Sequence, residues 1–67
     1  MLKIDVELEE DGRWIAEVPA VPGALAYGAT AEQARSRAAA LACRAIADLI
    51  EHGEAIPDEA SDIFAPA

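Results

Sequence analysis

One long amphipathic helix is the feature that most constrains the fold of this chain. Apolar residues recur over Ala31–His52 at the i, i+4, i+7, i+8 spacing of a single helical face. Thr30 and Gln33 have the S/T-x-x-E/Q form of a capping box, which predicts the start of the helix. Gly53 follows the last periodic residue, the usual position of a C-terminal glycine cap. We therefore expect one helix over Ala31–His52.

The apolar arc of this helix is wider than contact with one sheet requires. A wide arc on the only helix of a small chain indicates two surfaces to cover, the chain's own sheet and another subunit. We expect Cys43, which is placed among alanines, to be a buried structural thiol. The residues expected at the subunit interface are Ala39, Ala40, Cys43, Ala47 and Ile50.

The length of 67 residues predicts a single domain over 1–67. Its core is expected in 1–57, and 58–67 is expected to be a tail or a short edge strand. So short a chain buries only about 60% of its unfolded surface. A single cysteine excludes an internal disulfide, and no Cys/His cluster has metal-ligand spacing. Oligomerisation is the remaining stabiliser, so we expect a homodimer or homotetramer and no cofactor.

The N-terminal part of the chain predicts a β-hairpin. Apolar and polar residues alternate strictly over Leu2–Glu9, as in a half-buried strand. Asp11-Gly12 is a hairpin turn signal, and Arg13–Val18 is the returning strand. Trp14 is the largest apolar residue in the chain, and we expect it to anchor the core or, as the alternative, an interface.

Two further strands are expected, one on each side of the helix. Pro22-Gly23 fits the central positions of a type II turn, and Ala24–Tyr27 reads as a short third strand. Ser61–Ala65 is expected to form a short fourth strand at the edge. The connections are too short for parallel crossovers. The fold class is therefore α+β, a three-to-four-stranded antiparallel sheet with one long helix packed on one face.

Charge and hydropathy restrict the possible partners and location. The chain has 13 acidic and 5 basic residues, a net charge of −8, which argues against direct nucleic-acid binding. This charge fits a basic protein partner, whose approach it would steer, or serves only solubility. No signal-like segment and no apolar stretch of about 18 residues is present, so we expect a cytoplasmic protein without membrane contact. Seventeen alanines and no asparagine favour a thermophilic or GC-rich source.

Catalytic groups are sparse, and we expect no enzyme. The only histidine, His52, is placed at the helix C-terminus, where a positive charge complements the helix dipole. An alternative is a metal-dependent nuclease that uses Asp5, a helix acid and Asp62 in a two-metal site.

Two stretches, Val18-Pro19-Ala20-Val21-Pro22-Gly23-Ala24 and Tyr27-Gly28-Ala29-Thr30-Ala31-Glu32-Gln33-Ala34, together resemble the signature of the HicB-like antitoxins. Asp11-Gly12 at the hairpin and Gly53–Pro57 after the helix also fit that family, so the resemblance spans about residues 1–57. The chain departs from the family in having Ala24 in place of the usual cysteine. It also has no counterpart of the family's C-terminal DNA-binding domain, so we expect no operator binding.

The resemblance implies a β-β-β-α-β arrangement, a reduced ribonuclease-H-like fold. It also implies a partner, because members of the family bind and neutralise HicA, a small basic mRNA-cleaving toxin, and commonly form dimers or tetramers. The alternative is a solitary, self-associating structural or adaptor domain. From charge and expected exposure alone, the candidate partner contacts are Asp5, Glu7, Glu9 and Glu17.

Overall fold

The computed structural model describes residues 1–64 and shows a three-stranded antiparallel sheet with one long helix packed on one face. The α+β class is confirmed. The strands follow one another in the order β1-β2-β3. The elements are β1 (Asp5–Leu8), β2 (Trp14–Glu17), β3 (Leu25–Gly28), α1 (Ala31–Glu51) and a single 3-10 turn (Asp58–Ala60).

The first strand is shorter than the alternation predicts. β1 pairs with β2 from Asp5 opposite Glu17 to Leu8 opposite Trp14, so residues 2–4 precede the strand. Val18 does not extend this pairing, because the alternation of the ladder directs its N–H away from β1, to the Ala24 carbonyl. The next residue of the chain is a proline, which has no N–H to continue the ladder.

The predicted fourth strand is wrong over the residues that the structure describes. After the 3-10 turn, residues 61–64 form further turns, and Ala65 lies outside the described residues. The backbone groups of this segment bond locally: Ser61 N–H donates to Asp58 O, and Ile63 N–H donates to Ala60 O. The Ser61 hydroxyl also donates to the Asp58 carbonyl at 2.7 Å. Hydrogen-bonding groups satisfied within a turn do not form a ladder with a sheet edge.

The chain turns between β2 and β3 at the predicted Pro22-Gly23 site. Ala24 N–H donates to the Val21 carbonyl at 3.0 Å across the turn. Gly23 has a φ of +87°, the conformation that a type II turn requires at its third residue. The turn directs Val21 and Ala24 into the core, where both are buried.

Both helix ends have the caps that the sequence predicts. The Gln33 N–H donates to the Thr30 hydroxyl at 3.0 Å, and the Gln33 side chain accepts from the Ala29 N–H at 2.7 Å. At the other end, Gly53 N–H donates to Ile50 O and Glu54 N–H donates to Leu49 O, the two bonds of a Schellman motif. The helix ends at Glu51, one residue earlier than expected.

Gly28 brings the end of β3 against the first turn of α1. A Cβ atom placed on Gly28 would lie 2.5 Å from the Ala34 backbone nitrogen, a distance that forces the backbone to move. This close approach places the helix directly over the sheet. Ala34 and Ala38, on the side of the helix that faces the sheet, are fully buried.

Small side chains dominate the core. Trp14 packs against the core from the start of β2 and is half-buried. Val18 is the largest fully buried side chain. The buried apolar residues are Ala16, Val18, Val21, Ala24, Ala34, Ala38, Ala42, Ile46 and Ala60.

The helix covers the sheet unevenly. It lies mainly over β3 and β2 and reaches β1 least. Leu8 points to the helix side of the sheet, as the alternation predicts, yet it is 56% exposed. The apolar side of β1 is therefore only partly covered.

Candidate functional site

The sheet has an outer face, opposite the helix, on which acidic and apolar side chains alternate. The strand register brings Asp5 opposite Glu17 and Glu7 opposite Ile15. A shallow groove of about 230 Å³ runs along these strands. We call this surface the outer face, and its lining residues include Asp5, Glu7, Ile15, Glu17 and Leu25.

Three of the four predicted partner contacts meet in this groove. Asp5, Glu7 and Glu17 line it together, and all three are exposed. Glu9 does not line the groove: it follows the end of β1 and is half-buried, and its backbone N–H closes the hairpin by donating to Arg13 O. The structure therefore retains Asp5, Glu7 and Glu17 as one cluster and separates Glu9 from them.

The carboxylates of the outer face are only partly neutralised. Lys3 lies near Asp5, with its Nζ 3.4 Å from the carboxylate. Within residues 1–64, no basic group lies within 4 Å of the Glu7 or Glu17 carboxylates. Asp5 and Glu17 also face each other directly across two strands, an arrangement that opposes folding. A local conflict of this kind is typical of a surface shaped for binding.

Arg13, the other basic residue beside the groove, is held at the hairpin. Its Nε donates to the Asp11 carboxylate at 2.8 Å and its backbone N–H to the same side chain at 3.1 Å. Its guanidinium lies 4.3 Å from the centre of the Tyr27 ring, a cation–π contact. The hydrogen bond from the Arg13 backbone, and then that from its side chain, hold the pKa of Asp11 below its usual value. Arg13 is thus engaged at one end of the outer face.

A second surface lies on the exposed flank of α1, where the subunit interface is predicted. Cys43 is exposed, so the expectation of a buried thiol is wrong. It is uncovered because α1 crosses β3 and β2 and leaves its β1 side open. We call this surface the helix flank. Of its predicted members Ala39 is half-buried, and the exposed ones are Ala40, Cys43, Ala47 and Ile50.

The helix flank adjoins an apolar hollow that the sequence reasoning did not identify. Cys43, Ala47 and Ile50 form one wall. Ile63 and Phe64 from the C-terminal turns form another, and Phe64 is 73% exposed. The sequence prediction places this apolar pair in the fourth strand and not beside the helix. Ile15 was not predicted as a site residue because it interrupts an otherwise polar side of β2, between Arg13 and Glu17. Leu25 was not predicted because nothing in the short apolar strand β3 distinguishes it from a core residue.

Of the groups considered for catalysis, Asp5 lies on the outer face, whereas His52 and Asp62 contact other parts of the chain. His52 caps α1, and its Nδ1 lies 2.7 Å from the Asp48 carbonyl. Asp62 is 3.5 Å from the Met1 ammonium group. In the described part of the chain, no group of three or more His, Cys, Asp or Glu side chains is placed to hold a metal ion.

No helix in residues 1–64 combines the length and the apolarity that crossing a bilayer requires. The chain matches no protein-family model, no curated protein and no solved structure in comparisons with each.

Proposed function

We propose that this chain is an antitoxin-like protein-binding module that occludes a small basic mRNA-cleaving toxin of the HicA type. The observation that carries the proposal is the composition of the outer face. Three exposed carboxylates surround the apolar side chains of Ile15 and Leu25 in one groove. Protein interfaces combine an apolar centre with a polar rim in this way.

The electrostatics of the chain support a basic partner. The net charge of −8 attracts a cationic protein over several ångströms and speeds its encounter. Glu7 and Glu17 keep their charge available because no basic group within residues 1–64 lies within 4 Å of either carboxylate. A basic ribonuclease that docks here would have its cationic surface covered.

The order of the elements supports the family resemblance. A hairpin with Asp11-Gly12 at its turn leads to β3, then Gly28 contacts the first turn of α1 and Thr30 caps it. We propose on this basis that the domain has the reduced ribonuclease-H-like fold of HicB-like antitoxins. The outer face is the side of that sheet that the helix leaves free.

Isolation of the partner tests the proposal directly. The tagged chain is used to capture proteins from a lysate of its source cells, and mass spectrometry identifies them. We expect a small basic protein that salt releases and that is toxic when expressed alone. Its mRNA-cleaving activity should disappear when the chain is added in equimolar amount. A captured protein that keeps its activity in the complex contradicts the proposal.

Charge reversal on the outer face locates the contact. The double variant Asp5→Lys/Glu7→Lys should slow association with that toxin on the order of tenfold at low salt, because it reverses the steering field. Glu51→Lys/Glu54→Lys changes the net charge equally at the far end of α1 and is the matched control. Folding, checked by circular dichroism, should be retained in both. Equal slowing by the two variants would remove the outer face from the interface.

A second candidate function, a solitary self-associating domain, is favoured by the helix flank. Its hollow is almost entirely apolar and is lined by Cys43, Ala47 and Ile50 with Phe64. Exposed apolar patches mark association sites. In this alternative the chain forms a homodimer or homotetramer through the flank and captures no other protein from the lysate. Sedimentation at micromolar concentration should show the oligomer, and a monomer would contradict it.

A further inference from the structure

β1 is an edge strand whose outward backbone groups are open. Glu9 N–H donates to Arg13 O, which makes residues 9 and 13 a hydrogen-bonded pair. Such pairs alternate along an antiparallel ladder, so Glu7 and Asp5 also direct their backbone groups to β2. Val6 and Leu8, which lie between them, therefore direct their N–H and C=O groups away from the sheet.

The opposite edge of the sheet is partly closed by the chain itself. Along β3, Leu25 N–H donates to Gly23 O at 2.9 Å. The Arg37 guanidinium donates to Tyr27 O, also at 2.9 Å. Within residues 1–64, no other segment contributes a hydrogen bond of this kind to Val6 or Leu8. The two edges therefore differ, and only β1 offers a continuous template for another strand.

The helix side of β1 also has uncovered apolar surface. Val6 is half-buried and Leu8 is 56% exposed, because α1 reaches this strand least. An added strand beside β1 would find space and apolar contacts on its helix side.

We propose that β1 accepts an extended segment of another protein as a fourth strand, with basic residues at alternate positions and apolar residues between them. The apolar side chains would cover Leu8 and Val6, and the basic ones would lie on the outer face beside Asp5 and Glu7. Strand addition supplies affinity through main-chain hydrogen bonds and specificity through alternate side chains. This inference rests on the proposed function and specifies how the basic partner is held.

Charge decides between this occupant and a second copy of the chain. Antiparallel self-pairing centred on Val6 places Asp5 opposite Glu7 of the second copy. By symmetry, it also places Glu7 opposite Asp5 of that copy. Since Val6 would form the hydrogen-bonded pair, these acids would occupy the closer, non-hydrogen-bonded positions. Like charges placed directly opposite each other destabilise a sheet. Lysine or arginine at the same positions would be attracted to both carboxylates.

A peptide experiment on the intact chain tests the inference. The probes are a short capped peptide that alternates Lys and Val and a matched peptide that alternates Glu and Val. We expect the Lys/Val peptide alone to bind, and to slow hydrogen exchange of the Val6 and Leu8 amides. The variant Val6→Pro removes one outward N–H and should weaken binding about tenfold. Val6→Thr keeps the N–H and the branched shape, and should bind within about threefold of the original chain.

Several outcomes would overturn the inference. Equal binding of the two peptides would show that charge does not select the strand. Amide protection at Leu25 and Tyr27 instead of Val6 would place the peptide on the other edge. A dimer that Val6→Pro dissociates would show that a second copy occupies β1. If Val6→Pro does not fold, amide protection in the original chain decides the question.

The proposed function fails separately from this inference. If a basic toxin is neutralised but its binding is equal for Val6→Pro and Val6→Thr, the antitoxin-like function stands and strand addition is wrong. If the Lys/Val peptide binds along β1 but no captured protein is neutralised, strand addition stands and the antitoxin-like function is wrong.

Discussion

Gly28 occupies a position in which the side chain of any other residue meets backbone. An added Cβ would lie 2.5 Å from the Ala34 nitrogen and 3.0 Å from its Cα, and backbone cannot rotate away as a flexible side chain can. The Tyr27-Gly28 part of the sequence motif thus has a steric cause, the contact of β3 with the first turn of α1.

Gly28→Ala should destabilise the chain by about 1–3 kcal/mol, because the helix must shift away from the sheet. Thermal and urea unfolding measure the change. Gly23→Ala is the matched control, because Gly23 has a φ of +87° but no atom within 4 Å of an added Cβ. Its free energy of unfolding should fall only by the cost of placing a residue with a Cβ at positive φ, roughly 1–2 kcal/mol. A Gly28→Ala chain as stable as the original would show that α1 can move away from β3 without cost, and would contradict the prediction.

Asp11 gives the hairpin a defined pH dependence. Hydrogen bonds from Arg13 lower the pKa of Asp11 in the folded chain below its ordinary value of 3.8. A lowered folded pKa stabilises the protein above the unfolded value, and this contribution disappears as the pH falls through the folded value. Asp11→Asn should therefore lower the unfolding temperature at neutral pH and reduce the loss of stability below about pH 4.

Unfolding temperatures measured from pH 7 to pH 2.5 test this expectation. Glu10→Gln removes a charge one residue earlier and leaves the Asp11–Arg13 bonds in place, so it is the appropriate control. If the unfolding temperature depends on pH in the same way for Asp11→Asn and the original chain, the Asp11–Arg13 contact does not contribute to the loss of stability in acid.

At the scale of elements, local signals were sufficient for the helix and insufficient for the strands. The capping box of Thr30 and Gln33 and the glycine cap at Gly53 depend on residues within one turn, so the helix could be predicted to within one residue. The length of β1 depends on where its partner β2 stops pairing, and that pairing ends at Pro19, a residue distant from β1 in the sequence that has no N–H. The fourth strand failed because its segment forms a 3-10 turn.

The candidate site could be predicted only in part, because some of its features depend on contacts between residues distant in the sequence. Alternation placed Asp5, Glu7 and Glu17 on one side of the sheet, as observed. The exposure of Cys43 depends on the line along which α1 crosses the sheet, and no spacing in the sequence encodes that line.

Accessibility of Cys43 provides a measure of association through the helix flank. The thiol is exposed in the single chain, so it should react fully with a thiol reagent in dilute, folded protein. If chains associate through the flank, its labelling rate should fall as the protein concentration rises. Ile50→Glu on the same flank should restore fast labelling at high concentration, whereas Glu54→Gln should not. A rate independent of concentration would exclude the flank as the contact.

At the scale of the whole molecule, the chain is elongated for its length. The described residues span 45 × 20 × 14 Å with a radius of gyration of 13.1 Å, against about 11 Å for a compact domain of this length. The single helix of 21 residues, about 31 Å long, is longer than its four-residue strands and contributes to this shape. The outer face, the β1 edge and the helix flank are all open in the described residues. The outer face and the β1 edge adjoin each other, and the helix flank lies on α1. If the proposed partner and a second copy both bind, they would therefore use different surfaces.

The alanine-rich core has a thermal consequence. Unfolding heat capacity rises with the apolar area that becomes exposed, and a core with Val18 as its largest fully buried side chain exposes little. The heat capacity increment should therefore lie at or below the roughly 0.8–1.0 kcal/mol/K expected for this length. The curve of stability against temperature is then broad and shallow. Such a chain keeps nearly the same modest stability over a wide range of temperatures and resists cold denaturation.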